Sequence, residues 1–293
     1  MESVQAGILQ DIPQRSRYLT FVIKDPKELK TALTALSHMV DGKSIVMGIG
    51  AKIVNTLRQD VSGLTTFPDY TQGPVSIPAT TGDLWCWLRG EDRGELLHRG
   101  RAVEVIAAPA FELHSVIDGF KYGSGLDLTG YEDGTENPED TAAIDAAIVQ
   151  QQGQGMDGSS FVAIQQWLHD LNHFESLLQV EQDAIIGRSK EDNHEISDAP
   201  VSAHVKRVEQ EDFDPPAFIL RRSMPWIENQ QAGLMFVAFG KNFEAFETLL
   251  SRMSGQDDGI TDALFSFSKP LTGNYYWCPP MGRDGLDLSR IMM

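Results

Sequence analysis

Cysteine is nearly missing from this chain. Its 293 residues hold two, Cys86 and Cys278, far apart in sequence. That excludes a disulfide framework and a thiolate zinc site, and it fits a reducing compartment. Basic side chains are also scarce: 24 Lys and Arg stand against 42 Asp and Glu, a net charge of -18. Such a surface repels phosphate backbones and anionic lipid, so neither nucleic acid nor a membrane is an expected partner. No apolar run approaches the roughly 20 residues needed to cross a bilayer. Residues 1–17 lack the basic segment and apolar stretch of a signal peptide, so the expected location is cytoplasmic. Common motifs are absent too: there is no Walker loop, no G-x-S-x-G elbow and no H-E-x-x-H. Gly48-Ile49-Gly50-Ala51-Lys52-Ile53 begins like a dinucleotide fingerprint but lacks the third glycine, and reads as a strand-to-helix turn.

What is present suits a folded chain of one large or two ordinary domains, since 41% of residues are hydrophobic and 23% charged. Strands are expected over residues 18–23, 44–49, 84–88 and 102–106, where β-branched and aromatic residues cluster. A helix opens at Asp25-Pro26 with Leu29, Leu33, Leu36 and Val40 on one face, and a second lies near residues 91–98. Residues 58–81, with Pro68, Pro74 and Pro78, read as a long surface loop. The order βαββαβ is that of a ferredoxin-like unit. The pattern then restarts: strands over 160–167, 217–220, 233–239 and 274–277, and a helix over 243–253 with Phe243, Phe246, Leu249 and Leu250 on one face. The expected fold is therefore α+β: two ferredoxin-like halves, residues 1–140 and 141–293, with packed antiparallel sheets and peripheral helices. Sheets with open edges often assemble, so a homo-oligomer is expected.

Between the halves runs Gly130-Tyr131-Glu132-Asp133-Gly134-Thr135-Glu136-Asn137-Pro138. Three carboxylates, two glycines and an Asn-Pro step make it a tight, irregular loop, and the connection between halves is where a site would form. Alone it would read as an acidic surface loop. Downstream, however, come Ser202-Ala203-His204-Val205-Lys206-Arg207 and Leu220-Arg221-Arg222-Ser223-Met224-Pro225-Trp226. His194-Glu195 and the pair His169/His173 have no further ligand cluster beside them and read as solvated surface histidines. The ordered set of G-x-x-D-G, H-x-x-R and R-x-S-M-P resembles the dye-decolorizing peroxidases, most closely their compact bacterial B-type subgroup. The resemblance runs over nearly the whole chain.

That resemblance implies a haem b peroxidase that uses hydrogen peroxide to oxidise dyes, phenols and other small aromatic reductants in one-electron steps through a ferryl species, with the haem pocket mainly in the C-terminal half. Such chemistry needs an axial imidazole with an anionic partner, and a proton-moving group and a cation on the opposite face. By the family's pattern, His204 is the axial ligand and the metal ligand, Asp262 is the acid behind it, and Asp133 lies over the distal face. Arg221 is the distal arginine, preferred over Arg222 by its offset to Pro225, and Ser223 is the polar residue that orders peroxide or water. Arg188 and Arg207 resemble propionate contacts, and Gly134, Thr135 and Glu136 give main-chain contact at the haem edge. A haem-handling or porphyrin-processing protein with incidental peroxidase turnover would use the same pocket. The clustered aromatics Trp85, Trp87, Tyr275, Tyr276 and Trp277 read as core, with an electron-relay role as the alternative.

Overall fold

The computed structural model describes residues 3–70 and 73–292. Thr71 and Gln72, within the expected surface loop, lie outside the described residues, as do the first two residues of the N-terminal stretch and Met293 of the tail.

The first half runs β1 (Arg15–Ile23), α1 (Leu29–Met39), β2 (Ile45–Ile49), α2 (Ala51–Thr56), β3 (Leu84–Gly90), α3 (Arg93–Ala107) and β4 (Phe111–Phe120). All its pairings are antiparallel, in the order β4-β1-β3-β2. After α4 (Asp140–Ala147) the second half follows: β5 (Ser160–His169), α5 (Leu171–Ser176), α6 (Gln179–Ile186), α7 (His204–Arg207) and β6 (Leu220–Arg221). It continues with β7 (Met224–Glu228), β8 (Gln231–Gly240), α8 (Glu244–Met253), β9 (Ser268–Pro270) and β10 (Asn274–Cys278). Its main sheet has the matching order β10-β5-β8-β7, so each half is ferredoxin-like, as expected from sequence. Gly50 does sit between β2 and α2 as a plain strand-to-helix turn.

The two sheets touch edge to edge through Ile49↔Trp277 and Gly119↔Trp226, which closes eight strands into a ring. Strand side chains alternate, so each sheet has one face inside this ring and one outside. Tyr18, Trp85 and Trp87 from one sheet meet Val162, Val237, Phe239 and Tyr276 from the other inside it, fully buried. The outer faces carry the larger core, with α1 and α3 covering Leu19 and Leu88, and α8 covering Phe161 and Ala163. The aromatic cluster is accordingly split, Trp85, Trp87 and Tyr276 facing inward and Tyr275 and Trp277 outward.

Two expected elements are corrected. Residues 102–106 are not a strand but the second half of α3, and the fourth strand is residues 111–120. The buried stripe of α3 is Leu96, Gly100, Val103 and Ala107, spaced for a helix. Its small members gave a weak hydrophobic signal, while Val103, Val105 and Ile106 gave a strong β-branched one. Residues 217–219 likewise carry no strand; pairing begins at Leu220.

Candidate active site

A cavity of about 360 Å³ lies outside the second sheet. One wall is the outer face of β5 and β8, with Trp167, His169, Leu234 and Phe236. The opposite wall is α8, whose Phe246, Leu249, Leu250 and Met253 recur at helical spacing. The rim is made by the 130–139 loop and the start of α7.

On the helical side stands His204, the first residue of α7. Gly187 ends α6 at φ 92°, and a Cβ there would meet Val205 Cγ1 at 2.4 Å, so only glycine lets α6 press against the turn that presents the histidine. The backbone N–H of Ala263 donates to the Ser202 carbonyl at 2.7 Å, which docks the one-turn helix Ala263–Ser266 beside α7. Asp262 caps that turn, accepting from the Leu264 N–H at 2.8 Å with Oδ1 and from His204 Nδ1 at 2.7 Å with Oδ2. Its side chain has no exposed surface. A carboxylate accepts only, so Nδ1 carries the imidazole proton and Nε2 keeps its lone pair.

On the sheet side, Arg221 at the end of β6 places its Nη1 3.7 Å from Asp133 Oδ1. Asn137 is what joins them. Its amide accepts from the Arg221 N–H at 2.8 Å and donates to the Arg221 carbonyl at 3.1 Å, acting as a strand neighbour for β6. The Asn137 N–H donates to the Gly134 carbonyl at 2.9 Å, and Gly134 sits at φ 86°, so the loop turns back directly after the acid. Sequence reasoning took Asn137 only as part of a turn; the pairing of a side-chain amide with a distant backbone leaves no local signal.

Burial raises Asp133 above the usual carboxylate range. The Arg221 guanidinium opposes that shift, the Asp127 carboxylate adds to it, and His204 and the Gly134 N–H oppose it. The result is an acid that holds its proton longer than a surface aspartate, beside a fixed cation.

The other expected residues divide. Gly134, Thr135, Glu136 and Arg188 line the cavity, and Arg188 ion-pairs with Glu136 and Glu195 at the rim. Ser223 lines a smaller polar cavity of about 280 Å³, which shares Asp133, Gly134 and Arg221 with the larger one. Its hydroxyl accepts from the Val237 N–H at 3.3 Å. Arg222 is tied to the carbonyls of Ile8, Leu9 and Arg221, and turns away from the large cavity. Arg207 is a correction. Its guanidinium is buried and grips Asp258 with both terminal nitrogens, at 2.8 and 2.7 Å, plus the Arg252 carbonyl at 2.7 Å, so it is committed to a structural clasp and does not line the cavity. His169 is another: it ends β5 with its side chain 4% exposed, whereas His173 is exposed on α5 as expected.

These parts fit a haem. An apolar slot, an imidazole whose far nitrogen is tied to a buried carboxylate, and a rim arginine for an anionic group are the donor set that such a cofactor needs. Among the described residues no cluster of three or more His, Cys, Asp or Glu could hold a bare metal ion.

Comparison with known proteins gives the same direction. The family profile described as Dyp-type peroxidase, C-terminal, matches residues 125–283. A dye-decolorizing peroxidase of Mycobacterium tuberculosis is 30% identical over 252 residues, covering 83% of this chain and 75% of that one. Another, of Mycolicibacterium paratuberculosis, is 31% identical over 218 residues, and the match spans 72% of this chain and 61% of the relative's length. Among solved structures, a putative Dyp-type peroxidase of Shewanella oneidensis superposes with a TM-score of 0.89 at 28% identity, over 100% of this chain and 98% of that one. A Rhodococcus jostii DypB variant in complex with heme superposes at 0.86 and 27% identity, over 93% and 94%. With the family profile matching more than half of its residues and relatives matching most of its length, this chain belongs to the Dyp-type peroxidase family, whose members are haem-dependent peroxidases.

Proposed function

We propose that this protein is a haem b peroxidase that consumes hydrogen peroxide and oxidises small aromatic donors by single electrons. The observation that carries the proposal is that one apolar cavity is lined both by His204, whose Nδ1 is 2.7 Å from Asp262, and by Asp133 and Arg221, 3.7 Å apart. The residues that would hold the cofactor are His204 through Nε2 and Arg188 towards its carboxylate groups, with Gly134, Thr135 and Glu136 along its edge. Haem, when bound, supplies cleavage of the peroxide O–O bond and one-electron oxidation.

The protein's own part is proton handling and charge. Asp133, as the carboxylate, takes a proton from the incoming peroxide oxygen and can return it to the departing one. The Arg221 guanidinium, fixed beside it, stabilises the negative charge that develops as that oxygen leaves. Ser223 offers a hydroxyl in the adjoining polar cavity to order peroxide or water. Asp262 keeps the His204 proton on Nδ1 and so makes Nε2 a stronger donor. The apolar side chains that α8 sets along the cavity lower the local dielectric, which strengthens each of these interactions.

The same reading carries a division of the halves at residue 140, a cytoplasmic location and a homo-oligomer. It takes no nucleic acid or membrane as partner; no helix among the described residues is long and apolar enough to cross a bilayer.

The test is an absorption spectrum of the purified protein, repeated for His204→Ala, with peroxide-dependent oxidation of a phenol measured on both. A Soret band that shifts or disappears in the variant, with turnover lost, supports the proposal. Haem that passes quickly to an acceptor protein, without turnover, would favour the haem-handling alternative. A wild-type protein that takes up no haem would overturn both.

A further inference from the structure

The loop that carries Asp133 is tied down at a second place, away from Arg221. Asp127 lies at its base, where the Asp127 N–H donates to the Tyr131 carbonyl at 2.9 Å and the Gly130 N–H donates to the Asp127 carbonyl at 2.9 Å. The Asp127 side chain is 15% exposed. Oδ2 accepts from the Thr129 N–H at 2.9 Å and the Thr129 hydroxyl at 2.6 Å, and Oδ1 meets His169 Nε2 at 3.1 Å. The other imidazole nitrogen, Nδ1, is 2.7 Å from the Ser268 hydroxyl, on the register partner of His169 across β5 and β9. A carboxylate on one side and a hydroxyl on the other fix the ring completely: Nε2 donates to Asp127.

Beneath the loop lies a small apolar cluster of Tyr131, Phe174 and Phe267. Phe267 also packs 5.7 Å from the His169 ring, so the clasp and the cluster form one footing. A buried imidazole–carboxylate pair is a poor way to gain stability, since apolar side chains of the same size would do as well. What it provides is a single register for the loop, and a negative charge that bears on Asp133. Both ring nitrogens and three of the carboxylate's acceptor positions are already engaged within the protein, so the pair acts through another residue.

We propose that Asp127 and His169 are positioning residues, which clasp the loop to the end of β5 and so hold the Asp133 carboxylate against Arg221 over the cavity. The importance of Asp133 rests on the function proposed above, but the clasp itself is a property of the protein without cofactor and is tested there. Three groups face Asp133 electrostatically: Arg221, Asp127 and His204.

The experiment uses haem-free protein with His169→Leu, which breaks the clasp, and Asp127→Asn, which keeps its shape but removes the charge. Amide hydrogen exchange is followed over residues 125–134, and the protonation of Asp133 by carboxyl carbon NMR. In His169→Leu the amides of Gly130 and Asp133, which donate to Asp127 and Gly125, should exchange about 10–100-fold faster, the factor that loss of a hydrogen bond to a charged group brings. The amides of β1 and β3 should be unchanged. In Asp127→Asn the loop should stay protected and the Asp133 titration should move to lower pH, because an anion near it is gone; a merely structural residue would not move it. Unchanged exchange in the first variant together with an unchanged titration in the second overturns the proposal. If His169→Leu fails to fold, Ser268→Ala, which removes the partner of the other ring nitrogen, takes its place, and exchange over residues 125–134 decides. If the unsubstituted protein takes up no haem while the two variants show both effects, the peroxidase reading fails and the clasp stands.

Discussion

Consider Asp262→Asn. The native carboxylate serves two donors at once, the Leu264 N–H at 2.8 Å and His204 Nδ1 at 2.7 Å, from a side chain with no exposed surface. An asparagine there has one oxygen and one NH₂. If the oxygen stays on the imidazole, the NH₂ confronts the Leu264 N–H, donor against donor, at a cost of about 1–3 kcal/mol for a buried unsatisfied group. If the oxygen keeps the cap, the NH₂ faces Nδ1, which must then accept, and the proton moves to Nε2. The second arrangement leaves no group unpaired and is the one expected. It preserves the cap of the Ala263–Ser266 turn, so folding stability should change by only about 1 kcal/mol.

The consequence falls on the cavity. With its proton on Nε2, His204 has no lone pair to offer until the tautomer is reversed, and the donor-on-donor contact is the cost of reversing it. Haem affinity should therefore fall about 10–100-fold, the usual effect of removing the partner of a ligating histidine, which corresponds to about 1.4–2.7 kcal/mol. Nitrogen-15 NMR of the imidazole in haem-free protein reads the tautomer directly, and titration with haem at the Soret band reads the affinity. An imidazole that keeps its proton on Nδ1, with affinity equal to that of the unsubstituted protein, would refute the reasoning at its first step.

Arg221→Leu should slow reaction with peroxide about 10²–10³-fold, the scale of removing one charge-stabilising donor. Haem uptake should be preserved, and stopped-flow mixing with peroxide checks both. In the unsubstituted protein, peroxide consumption should fall on the acid side at a pH above the ordinary aspartate range, because burial raises Asp133. Arg221→Leu should move that limb further up, since the opposing cation is gone; a pH–rate profile measures it. Stability follows the same sign: between the unfolded and the raised folded titration midpoints the folded state binds more protons, so stability falls as pH rises through that window and is level above it. Thermal unfolding of Asp133→Asn over the same range should lack that slope. Arg207→Leu should lower the melting temperature with little effect on haem uptake, because the residue grips Asp258 away from the cavity. Arg188→Leu should do the reverse, weakening haem uptake with little change in melting temperature.

The proposed site was legible because each residue assigned to it stands in a short pattern of its own: Asp133 between glycines, His204 three before an arginine, Arg221 four before a proline. The repeated strand and helix pattern was legible for a similar reason, since alternation and helical spacing are local. What was not legible is how those groups are held. Asn137 reaches across 84 residues to the backbone of Arg221, and Asp127 across 42 to His169. Both contacts depend on which strand lies next to which, and nothing within a few residues of either partner records that. Arg207 failed in the opposite sense: a motif position suggested a cofactor contact, and an acid 51 residues away claimed the guanidinium instead. A motif names a residue type that the chemistry can use, while the tertiary register decides what that residue actually meets. In this chain the acid and the guanidinium come together because a side-chain amide completes the edge of a two-residue strand, and that amide lies four residues past the acid, in the same loop. The loop thus carries both the acid proposed to react and the amide that aligns the guanidinium with it, so Asn137 acts on the pair through the Arg221 backbone.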